Sequence, residues 1–306
     1  MIHLQDAWRR EIEGATKIKE SHFRNLSLDR LLLPLKVKHM ARRAKPDVLM
    51  AWAPRASELM PDYKEALKIS RLGDYPTRLS YFKNTDCIVC NTPGIAERVL
   101  SLGWKRQVKV ISNFTDAERV EPVDRAMLDT PADVPVVISM GRFVERKGFH
   151  TLIEAIAQLP GAYLWLLGDG EERDSLQKLA ADLGISNRVR FAGWQKDARP
   201  FLAAADVFVM ASSHEPLGNV ILEAWAQGTP VVSSRSEGPE WFMRDGENGL
   251  LVDIGDADGF AHAVEQIINA PDFAEQLAER GYQTLVSQFS KEVITDAYLK
   301  LFTSRR

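Results

Sequence analysis

From residue 134 onward, short apolar runs alternate with amphipathic stretches of helix length. The runs are VPVVISM (134–140), AYLWLLG (162–168), RVRFAGW (188–194), DVFVMAS (206–212), TPVVSS (229–234) and GLLVD (249–253). Between most of them lie KGFHTLIEAIAQL, ERDSLQKLAADLG, ARPFLAAA and GNVILEAWAQG. Runs apolar on both faces, separated by helices, predict a parallel sheet covered on both sides. The first half carries a weaker version of the pattern. Its candidate strands are PDVLMAW (46–52), ALKISRL (66–72), DCIVCNT (86–92) and VKVISNF (108–114). Residues 116–133 are polar and hold two prolines, which predicts a linker. After residue 255 the pattern turns helical, through ADGFAHAVEQIINA and DFAEQLAERGYQTLVSQFSKEVITDAYLKLF.

This pattern predicts two Rossmann-like α/β domains. The expected division is 1–115, a linker at 116–133, a second domain at 134–285, and a C-terminal helix at 286–306 that crosses back to the first. Composition fits: 306 residues, 45% hydrophobic and 26% charged, suffice for two cores of an ordinary soluble protein. The sequence has no apolar run long enough to span a bilayer. Its first 30 residues are polar and mixed in charge, unlike a secretory signal. Two cysteines make no disulfide framework and suit a reducing cytoplasm, the expected location.

The net charge of −3 conceals a basic start, with eleven Lys/Arg against five Asp/Glu in residues 1–45. There DRLLLPLKVKHMARRAK mixes leucines with cations, and two readings stand. One is a peripheral contact with an anionic membrane, at the inner face of the cell membrane. The other is a surface helix with a solvated basic side. No nucleic-acid motif accompanies the charge, so no nucleic-acid partner is expected.

The chemistry concentrates in SSHEPLGNVILEAWAQGTPVVSS (212–234). Ligands of open parallel sheets lie at the carboxyl ends of strands, and Glu215 follows one directly. Gly218 and Asn219 then open a helix whose free amides suit a phosphate. Glu223 returns toward the side of Glu215, because eight steps of about 100° leave an offset of about 80°. A second strand end, MGRFVERKGFH, presents Arg142 and Lys147 between the flexible positions Gly141 and Gly148. Two cations facing a helix N-terminus would hold a diphosphate. Taken singly, each of these charges could equally be a helix cap or an ordinary loop charge.

Together, GR with RKG four residues on, LLGDGEER, RVRFAGW, HEPLGNVILEAWAQGTPVVSS and DGENGLLV resemble the retaining glycosyltransferases of family 4, which have the two-Rossmann GT-B fold. The resemblance runs in order through about residues 134–255. RLGDYPTRLSYFKNTDCIVCNTPGIAERVLSLGW and VISNF are similar to a bacterial branch that builds lipopolysaccharide and other surface glycans. The resemblance implies sugar transfer from a nucleotide-sugar donor to a glycan or lipid-linked acceptor, with configuration retained and no cofactor or metal. It assigns Arg142 and Lys147 to the donor diphosphate and Glu215 to the sugar hydroxyls. Glu223 falls to the ribose, Gly218 and Asn219 to the sugar and phosphate, and Gly141 to the donor site. Arg190, Phe191 and Gly193 of RFAGW fall beside the base, held largely through backbone groups. Arg71 and Asp74 of SRLGDYP are acceptor-side candidates, against a plain surface turn.

Other signals read as structural. CIVC (87–90) has redox spacing but lies in an apolar strand, DAD (256–258) reads as a helix cap, and GDGEER reads as a turn into a helix. His214 stands beside Glu215 as a sugar contact or a packing residue, and Trp225 fits a buried helix face. The strand, Gly-rich turn and helix that open family members are not found before Pro46, so the first domain is expected to lack that unit. Two alternative functions follow: a nucleotide-sugar epimerase or hydrolase of related fold, and an inactive donor-binding homologue.

Overall fold

The computed structural model describes residues 28–304. The described residues start with helix α1 (Leu28–Ala44), which runs through Pro34. A parallel four-stranded sheet follows in simple sequential order: β1 (Val48–Ala51), β2 (Leu67–Leu72), β3 (Cys87–Cys90) and β4 (Gln107–Val110). Short helix α2 (Pro54–Glu58) and helix α3 (Pro93–Ser101) belong to this half. The inner strands β2 and β3 are buried along their whole length; β3 is apolar throughout, as a central parallel strand should be, whereas β2 also buries Lys68, Ser70 and Arg71. The expected strand at 108–114 is the exposed edge β4 and stops at Val110. The opening unit expected to be missing concerns residues before Pro46, most of which lie outside those described.

The second sheet has six parallel strands in the order β10-β9-β8-β5-β6-β7. These are β5 (Val136–Met140), β6 (Tyr163–Leu167), β7 (Val189–Gly193), β8 (Val207–Met210), β9 (Val231–Ser234) and β10 (Leu250–Val252). Helices α4 (Phe149–Ala157), α5 (Arg173–Asp182) and, later, α9 (Ala257–Asn269) contribute to the core on one face. Helices α6 (Arg199–Ala204), α7 (Asn219–Gln227), α8 (Glu237–Phe242) and the end of α10 (Pro271–Phe289) contribute to the other. Trp225 of α7 is fully buried, against Gly281 of α10 and the Phe242 ring. Asp256 caps α9 through a hydrogen bond from the Gly259 amide, 2.9 Å.

The chain between the sheets is bound to the second domain. Val120 N–H donates to Gln227, Val123 N–H to the Pro200 carbonyl, and Arg125 makes paired 3.0 Å bonds to Asp206. Trp165 Nε1 reaches Thr130 at 2.9 Å. Polarity and prolines predict a linker at 116–133, but its main-chain amides and the Arg125 guanidinium find carbonyl and carboxylate partners on a folded surface.

The boundary expected at residue 285 falls inside α10, which continues to Phe289. The bend comes at Ser290, where the hydroxyl caps the next helix, α11 (Lys291–Thr303), by accepting from Val293 N–H. Helix α11 lies on the first sheet, with Ile294 and Leu301 in one core with Leu67, Ile69, Cys87, Val89 and Ile111. Helix α11 thus returns the chain to the first domain.

Candidate active site

The strand order explains which residues meet. The second sheet is built outward from β5 through β6 and β7, then restarts at β8 on the other side of β5. The loops after β5 and β8 therefore diverge from neighbouring strands, leaving a crevice at the switch point. The loop after β5 carries Arg142 and Lys147; the loop after β8 carries Glu215.

Lys147 Nζ and the Glu215 carboxylate form an ion pair, with side chains 16% and 15% exposed. Lys147 ends a single 3-10 turn, Glu145–Lys147, and Gly148 next to it has φ 66°. A side chain at Gly148 would place Cβ 2.1 Å from the Ala211 carbonyl oxygen, so only glycine lets this loop lie against the end of β8. The Lys147 stem passes Gly141, and Glu215 Cγ lies beside Gly218, the residue before α7. Gly141, Lys147, Glu215 and Gly218 are thus contiguous. Arg142 lies just past β5, exposed and without a side-chain partner among the described residues. The first amides of α7 have no intrahelical acceptor, a property of any helix start.

Glu215 is held from behind. Its N–H donates to Glu237 at 3.2 Å, and its carbonyl accepts from Gly238 N–H at 2.9 Å. Burial pushes the Glu237 carboxyl up, but hydrogen bonds from its own and the Glu215 main-chain amide and from His214 outweigh this and hold it below the usual range. His214 Nδ1 lies 2.8 Å from Glu237, and Nε2 lies 3.8 Å from Asp74 of the first domain. His214 therefore touches Glu237 rather than projecting with Glu215.

A cleft of about 470 Å³ opens beside these residues. Its walls are Gly141 and Gly168 at strand ends, the loop Trp194–Arg199, Thr115 and Asp116, and Val220, Glu223 and Gln227 of α7. Glu223 is partly buried and makes no hydrogen bond or ion pair among the described residues. Burial, and then the charge of Asp197, raises its pKa. A partly buried carboxylate without a partner in a cleft is free to meet a ligand.

Some expected contacts lie elsewhere. Arg190 donates to the main-chain carbonyls of Leu128, Asn187 and Asp129 and stacks on Tyr163, tying the inter-sheet segment to β7. Phe191 packs its ring on Phe143, 6.1 Å between centroids. Gly193 has φ 70° and accepts from Gly168 N–H. The cleft wall begins one residue later, at Trp194, which is 75% exposed. The resemblance pointed to RFAGW, and the loop after it has no periodicity to show which of its residues turn inward.

On the facing domain, Arg71 lies in β2 and is buried; Asp74 lies just beyond the strand and is exposed. Arg71 donates to Asn113 Oδ1, and Asn113 Nδ2 donates to Asn219 Oδ1 at 2.7 Å. This relay joins the two domains at the start of α7. Asn113 and Thr115 went unsought, because the apolar run that ends there says nothing about what its last polar residues face. Among the described residues, no group of three or more His, Cys, Asp or Glu is placed to hold a metal. Nor is any helix long and apolar enough to cross a membrane.

The family model for glycosyl transferases group 1 matches residues 120–284, more than half of the chain. The chain belongs to this family. The glycosyltransferase is 80% identical over 298 residues to the lipopolysaccharide core biosynthesis glycosyltransferase LpsE of Rhizobium meliloti (strain 1021), covering 97% of this chain and 88% of that one. It is 50% identical to LpsD of the same strain, covering 99% and 88%. Among solved structures it is similar to Anabaena Alr3699/HepE in complex with UDP-glucose: 25% identity, TM-score 0.84 to 0.85 across two complexes, 97% of this chain and 89% of that one. The lipopolysaccharide outer core galactosyltransferase WaaB, 21% identical with TM-score 0.76 over 99% and 87%, shares the fold. The GT-B arrangement of two facing parallel-sheet domains is thereby shown, as is glycosyltransferase membership.

Proposed function

We propose that this glycosyltransferase moves a sugar from a nucleoside-diphosphate sugar to a lipopolysaccharide core acceptor, with retention of configuration, as a family 4 hexosyltransferase. The observation that carries the reading is the Lys147–Glu215 pair at the switch point, flanked by Arg142 and the free amides of α7. The names of LpsE and LpsD support the acceptor, and the UDP-glucose complex of HepE supports the donor.

Breaking the anomeric C–O bond leaves negative charge on the departing diphosphate and positive charge on the sugar. Arg142, Lys147 and the α7 amides meet the first, which provides for the leaving group without a metal ion. With no ligand, Lys147 and Glu215 neutralise each other. A bound diphosphate competes for Lys147 and leaves Glu215 free to accept from sugar hydroxyls, so donor binding itself readies the acid. Glu223, unpaired in the adjoining cleft, takes the ribose hydroxyls, and the exposed face of Trp194 borders the base. No protein nucleophile is needed, because the acceptor oxygen attacks from the leaving-group face.

Incubation with a panel of nucleotide-sugars, with and without core oligosaccharide, tests the reading. Acceptor-dependent nucleotide release supports it. Acceptor-independent turnover indicates an epimerase or hydrolase, and binding without turnover an inactive homologue. Glu215→Ala should lower transfer by about 10² to 10³ while nucleotide affinity is kept or raised, because Lys147 loses its competing partner. Undiminished transfer by that variant would remove Glu215 from the sugar site.

A further inference from the structure

A second cleft, about 400 Å³, adjoins the first and shares Thr115 and Glu223 with it. It lies between the ends of the first sheet's strands, the start of α7 and helix α11. Its walls include Trp52, Arg71, Ser112, Asn113 and Tyr298. Arg71 is 8% exposed, yet its guanidinium meets no carboxylate among the described residues. Its neighbours are the Asn113 amide oxygen, the Trp52 ring at 5.0 Å, and the buried Tyr298 phenol. Glu223, the one acid of this lining, forms no ion pair with it. Ser112 is also buried, and its hydroxyl has no partner in the described residues.

Burying a guanidinium without its counter-charge is costly, and one held by an amide and an aromatic face is only partly compensated. Asn113 and Trp52 orient the plane and leave its remaining N–H donors for a bidentate acceptor such as a phosphate or carboxylate. Trp52 is 63% exposed beside it, a flat apolar surface of the kind on which a sugar ring stacks. We infer that this cleft is the acceptor site and that Arg71 recognises an anionic substituent, phosphate or carboxylate, on the acceptor glycan. The inference rests on the proposed transfer and adds the chemical class of what receives the sugar. The Arg71–Asn113–Asn219 relay sets this cleft against the first residue of α7.

The test uses core oligosaccharide in three forms: as isolated, phosphatase-treated, and carboxyl-reduced. Each is titrated into UDP-loaded wild type, Arg71→Gln and Arg71→Lys, and run as acceptor in transfer. Removing the relevant anion should weaken binding to wild type about tenfold or more, and its identity shows which group is read. Arg71→Gln should lose the same factor with the native form and nothing further with the neutralised one, with UDP affinity within about twofold of wild type. Equal binding of all three forms to wild type overturns the inference, with no variant needed. So does an Arg71→Gln variant whose loss falls on UDP instead. If no core oligosaccharide binds, the lipopolysaccharide reading fails. The anion site is then decided by titrating glucose 6-phosphate, glucuronic acid and glucose, and equal affinity for the three rejects it.

Discussion

Glu223 shows how one side chain can weaken a fold and serve a ligand. Its carboxyl is raised by burial and then by Asp197, so the folded protein holds that proton more tightly than the unfolded chain does. By linkage, the group costs stability as pH rises above its unfolded pKa. Glu223→Gln should therefore raise Tm at neutral pH, by about 1–3 °C, while weakening nucleotide binding about tenfold. Thermal melts and UDP titrations on the same variant give both signs; a lower Tm would contradict the desolvation argument. In wild type, UDP affinity should decline as pH falls through the raised pKa, since protonated Glu223 accepts less well from ribose hydroxyls. That decline should vanish in Glu223→Gln. Cys87 and Cys90 behave differently, because burial pushes their thiols up to about 11 and about 12. Both should resist alkylation at pH 8 in the native protein and react only on unfolding, a contrast that mass spectrometry can read. The spacing of CIVC is thus that of a central strand, not of redox chemistry.

The loop from β5 to α4 and the turn at Ser290 carry their roles as elements. Gly148→Ala meets a positive φ and a carbonyl 2.1 Å away, so the loop must move and carry Lys147 off Glu215. We expect a loss of about 2–4 kcal/mol in stability and a fall in transfer larger than that in nucleotide binding. Unaltered denaturation and kinetics would show that the loop tolerates the shift. At the other turn, Ser290→Ala removes the cap of α11 and should cost about 1 kcal/mol, seen as faster amide exchange in α11. Helix existence was legible at both places from apolar spacing. The break at Ser290 was less so, because QFSKEVITDAY continues an amphipathic pattern with no Gly or Pro to interrupt it.

At the level of the molecule, α11 links the chain's end to its first half. Its Ile294 and Leu301 cover the inner strands β2 and β3. Ending the chain after Phe289 should expose Leu67, Ile69 and Val89 and yield a protein that aggregates, even though the second domain keeps its own two cores. Soluble expression of that truncation with wild-type melting would argue that α11 is dispensable. Contacts between the two domains include the Asn113–Asn219 bond, whose two residues line the second cleft, and the approach of His214 to Asp74 and Tyr75. Asn113 and Asn219 therefore serve both the domain contact and the lining of the second cleft.

Period and composition alone determined the parallel sheets, the helices between them and the strand ends that bear Glu215, Arg142 and Lys147. Those features are local: buried strands are apolar on both faces, and ligand loops follow them. The neighbourhood of β5 and β8, the unpaired state of Glu223, the outward turn of Arg190 and the carboxylate-free burial of Arg71 were decided only by tertiary structure. Strand order sets which loops touch, and the burial of a charge depends on what packs over it from distant chain, neither of which a local pattern encodes.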